Sequence, residues 1–431
     1  MPRLDAAEIR RQADALDPAT INLLAETWGQ RVPHAEFDLL RRTAPVFWHD
    51  EEDDTGFWVV TRHEDIVEIS RDHELWSMEK GGFMISTQTE EDLMMMRLSI
   101  LNMDPPRHDR MRRLISAGFT PRQIRHLIDQ ISVHATEIVD SICHKGEIDL
   151  VEEVSTHLPL MMICEMLGIP EQDYGRMKLW SDQLVGWDDP EIAVTKETQQ
   201  MAAAEMFMYC NDLVAQRKTD PKDDILSTLV HADVDGDRLD EAELNLFFVT
   251  LVIAGNETTR NLISHGMLAL LDHPDQMAKL QADVEALLPT TVDEMLRWGC
   301  SIQNFRRTAT RDTELHGQPI KEGDKVVTFY LAGNFDEAEY DAPYEFRVDR
   351  GDNHHLAFGG GGIHFCLGSH LAKAEIAAIV RELVTRLPDM ELAGRPDRLQ
   401  SDFINGLKRL PVRFTPTEPV GTVHVPEHAT V

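Results

Sequence analysis

Apolar residues recur at helical spacing along most of the chain. The segments with this period lie at 107–118, 122–143, 151–167, 201–217, 240–272, 276–298 and 367–387. Strand patterns are fewer, and they consist of β-branched and aromatic clusters at 46–48, 57–60, 325–330 and 412–414. The pattern therefore predicts a mainly α protein with small sheets, and not the strand–helix alternation of a doubly wound fold.

No Gly/Ser-rich linker, low-complexity stretch or long repeat divides the 431 residues. We therefore expect a single domain over 1–431. The net charge of −33 disfavours binding to nucleic acid or to anionic membrane surfaces. The N-terminus has no apolar run for a signal peptide or membrane anchor, which predicts a cytoplasmic protein.

Five cysteines are an odd number, and they are widely spaced with no CxxC pair. This spacing argues against a disulfide framework or a structural zinc site. Four of them stand in apolar or mixed helical contexts, where free cysteine is usually a small buried hydrophobe. Cys366 has different neighbours, because it closes the glycine-rich run AFGGGGIHFCLG at 357–368.

This glycine-rich run leads directly into the helix predicted at 367–387. Backbone N–H groups at a helix entrance favour a thiolate, and glycines remove the side chains that would keep a flat macrocycle away from it. A thiolate on such a platform suits a haem iron. A phosphate or dinucleotide loop would need GxxxxGK[ST] or a βαβ unit, and a zinc site from His355, His364 and Cys366 lacks paired ligand spacing. A purely structural turn would leave the lone cysteine unexplained.

The segment 240–272 opens with Asp240 and Glu243 in the spacing of a capping box. Its middle interrupts the apolar pattern with AGNETT at 254–259. A Thr258 hydroxyl bonded to the Ala254 carbonyl would loosen the backbone there and make a groove. From these residues alone, a packing kink and a functional site explain the pattern equally well.

FGGGGIHFCLG resembles the haem-binding loop of the cytochrome P450 monooxygenases, with one glycine more than the commonest form. Other motifs of that family follow the expected order, so the resemblance covers nearly the whole chain. It implies a mainly α, single-domain cytochrome P450 fold with many helices and small β-sheets. Haem b would lie between the long distal helix and the proximal cysteine loop, with Cys366 as the axial iron ligand.

The resemblance also implies roles for other residues. In AGNET, Glu257 and Thr258 would be catalytic, passing protons to dioxygen. The remaining implied haem-binding residues are Ala254, Phe358, Gly359 and Gly368, with His108, Arg112, Arg307 and His364 at the propionates.

Glu294 and Arg297 match the family's Glu-x-x-Arg pair. Glu345 stands where the third partner is often Arg or His, so Arg350 or Arg347 is expected to replace it.

A basic stretch interrupts the acidic chain, with a single acid, Asp109, among six arginines at 107, 110, 112, 113, 122 and 125. It is either a solvated helix face or, as we prefer, a docking patch for an acidic ferredoxin. The resemblance to a haem domain accounts for the whole chain, and the cysteines do not form a set that could bind an iron–sulfur cluster. Electrons would therefore come from outside, through a ferredoxin and a separate NAD(P)H-dependent reductase.

An apolar small-molecule substrate is predicted from the Met-rich loop at 81–103 and the aliphatic face of the long helix, although its methionines could equally pack a helix. The candidate pocket residues are Phe83, Met84, Met95, Val249, Ile253, Ile302 and Phe403.

Three segments resemble the bacterial hydroxylases that act on the terminal methyl of the steroid side chain (C26/C27). These segments are LNMDPPRHDRMRRLISAGFTPR, GNFDE and FINGLKRLPV. Related subfamilies act on methyl-branched lipids, alkanes and terpenoids. A peroxide-driven peroxygenase and a non-enzymatic haem-thiolate sensor are the alternatives of other classes.

Overall fold

The computed structural model describes residues 3–116, 121–186, 188–192, 195–234 and 236–421, and for 121–126 it describes the backbone alone. Within these ranges the chain forms sixteen α-helices joined by short turns and small sheets. The helices are α1 Ala6–Ala15, α2 Ala25–Gln30, α3 His34–Thr43, α4 His63–Arg71, α5 Glu90–Met96, α6 Arg107–Ser116, α7 Pro121–Ile142, α8 His157–Leu167, α9 Tyr174–Val185, α10 Lys196–Thr219, α11 Ile225–His231, α12 Glu241–Asp272, α13 Pro274–Ala282, α14 Val284–Gly299, α15 Tyr330–Gly333 and α16 Ser369–Arg386. The strands are β1 Val46–His49, β2 Phe57–Val60, β3 Trp76–Ser77, β4 Glu147–Asp149, β5 Asn304–Ala309, β6 Thr313–Leu315, β7 Gln318–Ile320, β8 Lys325–Phe329, β9 Glu391–Leu392, β10 Asp397–Arg398, β11 Leu407–Arg409 and β12 Pro411–Arg413.

The mainly α prediction is confirmed, and the four predicted strands correspond to β1, β2, β8 and β12. One predicted helix is wrong: the segment 276–298 is two helices, α13 and α14, separated at Asp283. Asp283 has non-helical backbone angles (φ −154°, ψ 75°), and its carboxylate accepts a hydrogen bond from the Ala286 N–H at 3.2 Å. Aspartate at this position starts a new helix because its side chain satisfies an otherwise unpaired N–H.

Helix α12 runs through the middle of the molecule and packs against α8, α10, α14 and α16. The predicted capping box begins it: the Asp240 carboxylate accepts from the Glu243 N–H at 2.8 Å, and Glu243 accepts from the Asp240 N–H at 3.0 Å. Eighteen of its residues are buried. Because both ends and most faces are fixed by packing, α12 is a rigid support for any site along it.

The largest sheet has the strand order β1-β2-β8-β5-β3, with β2 and β8 parallel and the other neighbours antiparallel. In β5, Phe305 lies opposite Thr328 and Arg307 opposite Val326. Alternate residues of a strand share a face, so Phe305 and Arg307 lie on the same side of the sheet.

Among the described residues, no helix combines the length and the apolar character that a bilayer-spanning segment needs.

Candidate active site

The cysteine loop ends at the start of α16, three residues after Cys366. The loop is closed by two backbone hydrogen bonds, from the Cys366 N–H to the Phe358 carbonyl at 3.1 Å and from the Phe365 N–H to the Gly362 carbonyl at 3.3 Å. The N–H groups of Gly368 and Ser369 act on the Cys366 sulfur and lower the pKa of its thiol. The predicted position at a helix entrance is therefore what the structure shows.

The glycines of the loop serve two purposes. A Cβ at Gly360 would lie 2.5 Å from Ser70 Oγ, and one at Gly362 would lie 2.4 Å from the Ser70 carbonyl, so the loop needs glycine to pass over α4. Gly359 also has φ of +92°, which favours glycine. A Cβ at Gly368 would meet no protein atom within 4 Å. Gly368 thus leaves room beside the sulfur, as a flat cofactor requires.

Cys366 is exposed, whereas the other four cysteines are buried. The protein atoms around its sulfur desolvate the thiolate, which raises the pKa of the thiol. The Gly368 N–H, the Arg112 guanidinium and the Ser369 N–H oppose the shift. A metal ion bound to the sulfur would lower the pKa of the thiol instead, because coordination removes the proton from a thiol.

Four residues predicted at the haem propionates lie close together beside this loop. The rings of His108 and His364 are 4.7 Å apart, and Arg112 donates to the Phe365 carbonyl at 3.3 Å. Burial, followed by the positive charges of Arg307 and Arg112, lowers the pKa of His364 well below its usual value. His364 Nε2 is buried with no protein partner. Two arginines beside two histidines, one of which has an unsatisfied ring nitrogen, fit a carboxylate-bearing cofactor.

On α12, the Thr258 hydroxyl donates to the Ala254 carbonyl at 2.7 Å, as predicted. The helix stays continuous through this turn. Ala254 is exposed although Val252 and Asn256 on either side are buried. A small residue exposed in mid-helix leaves a flat surface beside the Thr258 hydroxyl.

Glu257 is buried and forms an ion pair with Arg260. Arg260 continues to Asp182 on α9 at 3.0 Å, and Lys178 reaches Asp182 at 3.1 Å. Burial raises the pKa of Glu257 to about 7, against the opposing charge of Arg260. Its Oε1 has no hydrogen-bond partner. Glu257 is therefore a carboxyl group that can exchange a proton near neutral pH.

Sequence reasoning missed this charge network. The i,i+3 spacing of Glu257 and Arg260 was a usable signal. No such signal pointed to Asp182, because nothing local in the sequence places α9 against α12.

Several predicted pocket residues meet on this side of α12. Phe83 and Phe403 have ring centroids 5.0 Å apart, and Phe305 lies 5.5 Å from each. Ile253, Ile302 and Phe403 pack on a small apolar cluster of Val185, Leu399 and Ile404, separate from the two main cores. The three partly exposed rings and these aliphatic side chains form an apolar wall. Phe305 was not predicted, although its place on the Arg307 face of β5 could have indicated it.

The other pocket candidates lie elsewhere. Val249 packs against the largest core cluster. Met84 is partly buried, and Met95 keeps 52% of its surface exposed on α5. None of the three packs on the cluster around Phe403.

The cytochrome P450 family model matches residues 33–388. The chain belongs to the cytochrome P450 family. A steroid C26-monooxygenase of Rhodococcus jostii is 39% identical over 90% of this chain and 83% of its own length. A methyl-branched lipid omega-hydroxylase of Mycobacterium tuberculosis is also 39% identical, over 88% of this chain and 90% of its own. A Mycobacterium marinum cytochrome P450 in complex with pseudoionone superposes with a TM-score of 0.84 at 40% identity, covering 92% of this chain and 98% of that one.

As a cytochrome P450, the chain is a monooxygenase that uses haem b with an axial cysteine thiolate, dioxygen and externally supplied electrons. The donor set of the cysteine loop fits that cofactor. Within the described ranges, no group of three or more His, Cys, Asp or Glu is placed to hold a metal ion.

The Glu-x-x-Arg pair of this P450 lies at the centre of a buried network. Arg297 donates twice to the Glu294 carboxylate, each at 2.8 Å, and Arg350 Nε donates to it at 3.0 Å. Of the two expected third partners, Arg350 is thus in place, while Arg347 contributes its backbone N–H at 2.9 Å. Glu345 offers its carbonyl to Arg350 at 2.8 Å.

The basic stretch of this P450 is partly neutralised. Arg107 pairs with Glu79 at 2.6 Å, and Arg110 pairs with Asp237 at 2.7 Å and Glu243 at 2.6 Å. Arg110 thereby holds the turn before α12 and is not a free docking residue. Arg113 is exposed. The side chains at 122 and 125 lie outside the described residues.

Proposed function

We propose that this P450 hydroxylates the terminal methyl group of a steroid side chain. The observation that carries the proposal is the match to steroid C26-monooxygenases, which covers nine-tenths of the chain at 39% identity. The apolar wall of Phe83, Phe305 and Phe403 supports it, because an extended hydrocarbon chain needs contact surface and no charged partner.

A second candidate is hydroxylation at the end of a methyl-branched lipid. The omega-hydroxylase relative is equally similar in identity and supports this substrate. Both candidates place the oxidised carbon at the end of a branched alkyl chain. The two substrates differ in the size of the group at the other end of that chain, which would lie farthest from Cys366.

The roles of the individual site residues are part of the same proposal, and the geometry of the cysteine loop and of α12 supports them. Cys366 would bind the haem iron, and His108, Arg112, Arg307 and His364 would bind the propionates. Ala254, Phe358, Gly359 and Gly368 would lie along the macrocycle. When bound, haem supplies the centre at which dioxygen is activated to oxidise a C–H bond.

Protons would reach that centre through two side chains of α12. Glu257 holds or releases a proton near neutral pH, and Thr258 presents a hydroxyl whose own proton is held by the Ala254 carbonyl at 2.7 Å. Hydroxyl groups relay protons by accepting one hydrogen bond while donating another. Arg260 and Asp182 would fix the position of the Glu257 carboxylate.

The electron donors are part of the same proposal. We infer a ferredoxin and a separate NAD(P)H-dependent reductase in the cytoplasm, with the exposed Arg113 side of α6 as a contact for the acidic ferredoxin. The single domain would extend beyond the family match over 1–431. Packing of α1 on α3 and pairing of β12 with β4 and β9 support this extension for the described residues.

An optical titration of the ferric protein tests the substrate. Cholest-4-en-3-one, a methyl-branched fatty acid, a linear fatty acid and pseudoionone would be titrated separately while the Soret band is recorded. A saturable low-spin to high-spin shift with the steroid at the lowest concentration, and a product carrying oxygen on the terminal methyl, is the expected result. A shift with the branched fatty acid alone would replace the steroid by the second candidate.

A further inference from the structure

Phe83 forms one edge of the apolar wall, and its backbone is held on both sides. Its N–H donates to the Asn102 side-chain oxygen Oδ1 at 3.1 Å, and its carbonyl accepts from the Arg306 N–H at 2.9 Å. Gly82, directly before it, has φ of +75°, a backbone conformation that favours glycine. The position of the Phe83 ring therefore depends on the two residues that bond its backbone.

Asn102 is itself attached to the long helix α12. It is 2% exposed and ends the short helical turn Ile100–Asn102. The carbonyl of Ser99, just before this turn, accepts from the Asn102 N–H at 2.9 Å. The Ser99 hydroxyl lies 3.2 Å from the Thr250 hydroxyl on α12. Asn102 thus connects Phe83 to the helix that carries the proposed proton-supplying residues.

The Arg306 side chain lies under the same segment, on the other face of β5. Successive residues of a strand face opposite sides, so its guanidinium points away from Phe305. Nη1 donates to the Ser86 carbonyl at 3.3 Å and, at a longer 3.5 Å, to the Ile85 carbonyl. A Cβ at Gly81 would lie 2.4 Å from Nη2, so the backbone passes directly over the guanidinium.

The Arg306 guanidinium has no acidic partner that could replace these carbonyls. Among the described residues it forms no ion pair, because Glu51 and Asp54, the acids that act on its charge, pair with Lys325 at 2.5 and 3.1 Å. Arg306 is 5% exposed, and its Nε has no hydrogen-bond partner in the described part of the chain. A buried cation of this kind depends on the carbonyls around it. Displacement of the backbone at 85–86 would remove them.

We propose that Asn102 and Arg306 are positioning residues that hold the segment 81–86 so that the Phe83 ring stays against Phe305 and Phe403. The ring centroid of Phe83 lies 5.0 Å from that of Phe403 and 5.5 Å from that of Phe305, so a displaced ring opens the wall. Asn102 and Arg306 act on the substrate through Phe83 and determine how closely the wall fits an alkyl chain. This inference rests on the proposed function, since the wall has this role only for an apolar substrate.

Hydrogen–deuterium exchange on the haem-loaded, substrate-free protein tests the two attachments directly. In Asn102→Leu the Phe83 N–H loses its acceptor, so its protection should fall by about tenfold. Asn102→Asp keeps an acceptor oxygen in either protonation state and should restore protection. Arg306→Met should also lower protection at Phe83, while the Thr310 N–H, which donates to the Leu75 carbonyl at 2.9 Å, changes little in every variant. Unchanged exchange at Phe83 in both Asn102→Leu and Arg306→Met would overturn the inference.

A double-mutant cycle separates a positioning role from a general structural one. Asn102→Leu and Arg306→Met should each raise the Kd for cholest-4-en-3-one in the optical titration by about 3–10-fold, the effect of losing about one hydrogen bond. In a Phe83→Ala background they should raise it no further, because the ring that they position is gone. Lys80→Met is the matched control: Lys80 is an exposed cation next to the same segment, pairs with Glu322 at 3.1 Å, and should leave the Kd unchanged when replaced.

The same rise in Kd with and without the Phe83 ring would contradict the positioning role. Imidazole ligates haem iron directly and is too small to reach the wall, so its Kd should match the wild type in Asn102→Leu and Arg306→Met. Loss of imidazole binding in these variants would assign the two residues to the haem site instead. If cholest-4-en-3-one gives no spectral shift, the proposed substrate fails, and the cycle is measured with phytanic acid, a methyl-branched fatty acid. The exchange result stands apart from that outcome because it needs no ligand.

Discussion

Replacing Glu257 by Gln tests whether this buried carboxyl group supplies protons. Gln has nearly the same shape and leaves Arg260 in contact with Asp182, so the fold is expected to persist. The structure sets the magnitude. With its pKa raised by burial to about 7, half of Glu257 is protonated at pH 7. At the ordinary value near 4.5, nearly every Glu257 side chain would be ionised at pH 7, so burial increases the acid form by on the order of 10²-fold.

The assay is steady-state product formation with a reconstituted ferredoxin and reductase, from pH 6 to pH 9. Because the acid form is lost as pH rises through about 7, wild-type product formation should fall above that pH. The glutamine variant should be slower by about 10²-fold at pH 6 and should show no such fall, because general acid catalysis contributes about 10²–10⁴-fold.

Glu241→Gln is the matched control, since Glu241 is an exposed acid on the same helix. It should keep the wild-type profile. A Glu257→Gln enzyme with wild-type rate and wild-type pH dependence would refute the proton-supply role.

Four further predictions follow from the geometry. Thr258→Val keeps the volume but removes the hydroxyl, so NAD(P)H consumption should continue with peroxide released and product falling at least tenfold; fully coupled turnover would contradict this. Phe403→Ala removes the ring contacts with Phe83 and Phe305, so the Kd for cholest-4-en-3-one in the optical titration should rise about 10–100-fold. Glu294→Gln leaves two buried guanidinium groups without their carboxylate, which should cost about 3–5 kcal/mol in urea unfolding of the haem-loaded protein. An unchanged unfolding midpoint would show that the Glu294 carboxylate does not contribute this amount to the free energy of unfolding. Arg113→Glu should slow reduction by ferredoxin more at low salt than at high salt; equal slowing at both would argue against a docking charge.

The sequence predicted the parts of the site that are local in the chain. His364, Cys366 and the start of α16 lie within six residues, so their spacing alone defined the cysteine loop. Thr258 and Ala254 are four apart on one helix, and the predicted hydroxyl bond is confirmed. Local hydrogen-bonding chemistry of this kind depends on short-range geometry that a helix fixes.

The parts that escaped prediction depend on long-range packing. Phe305 reaches the pocket because the Gln303 N–H donates to the Phe403 carbonyl at 3.0 Å, a pairing across a hundred residues. Arg110 pairs with Asp237, 127 residues later in the chain, and no local pattern predicts that pairing. The break at Asp283 was missed because both flanking segments carry the same apolar period, which hides a cap between them.

The central claim is that Cys366 is the thiolate ligand of a haem. The most direct measurement is the ferrous–carbon monoxide spectrum of wild-type protein, Cys366→His and Cys210→Ala, the last being a buried cysteine away from the loop. The account predicts the long-wavelength Soret band of thiolate ligation in the wild type and in Cys210→Ala. In Cys366→His the band should be lost or moved to the position typical of imidazole ligation. A thiolate-type band that persists in Cys366→His, or its absence from haem-loaded wild-type protein, would contradict the account.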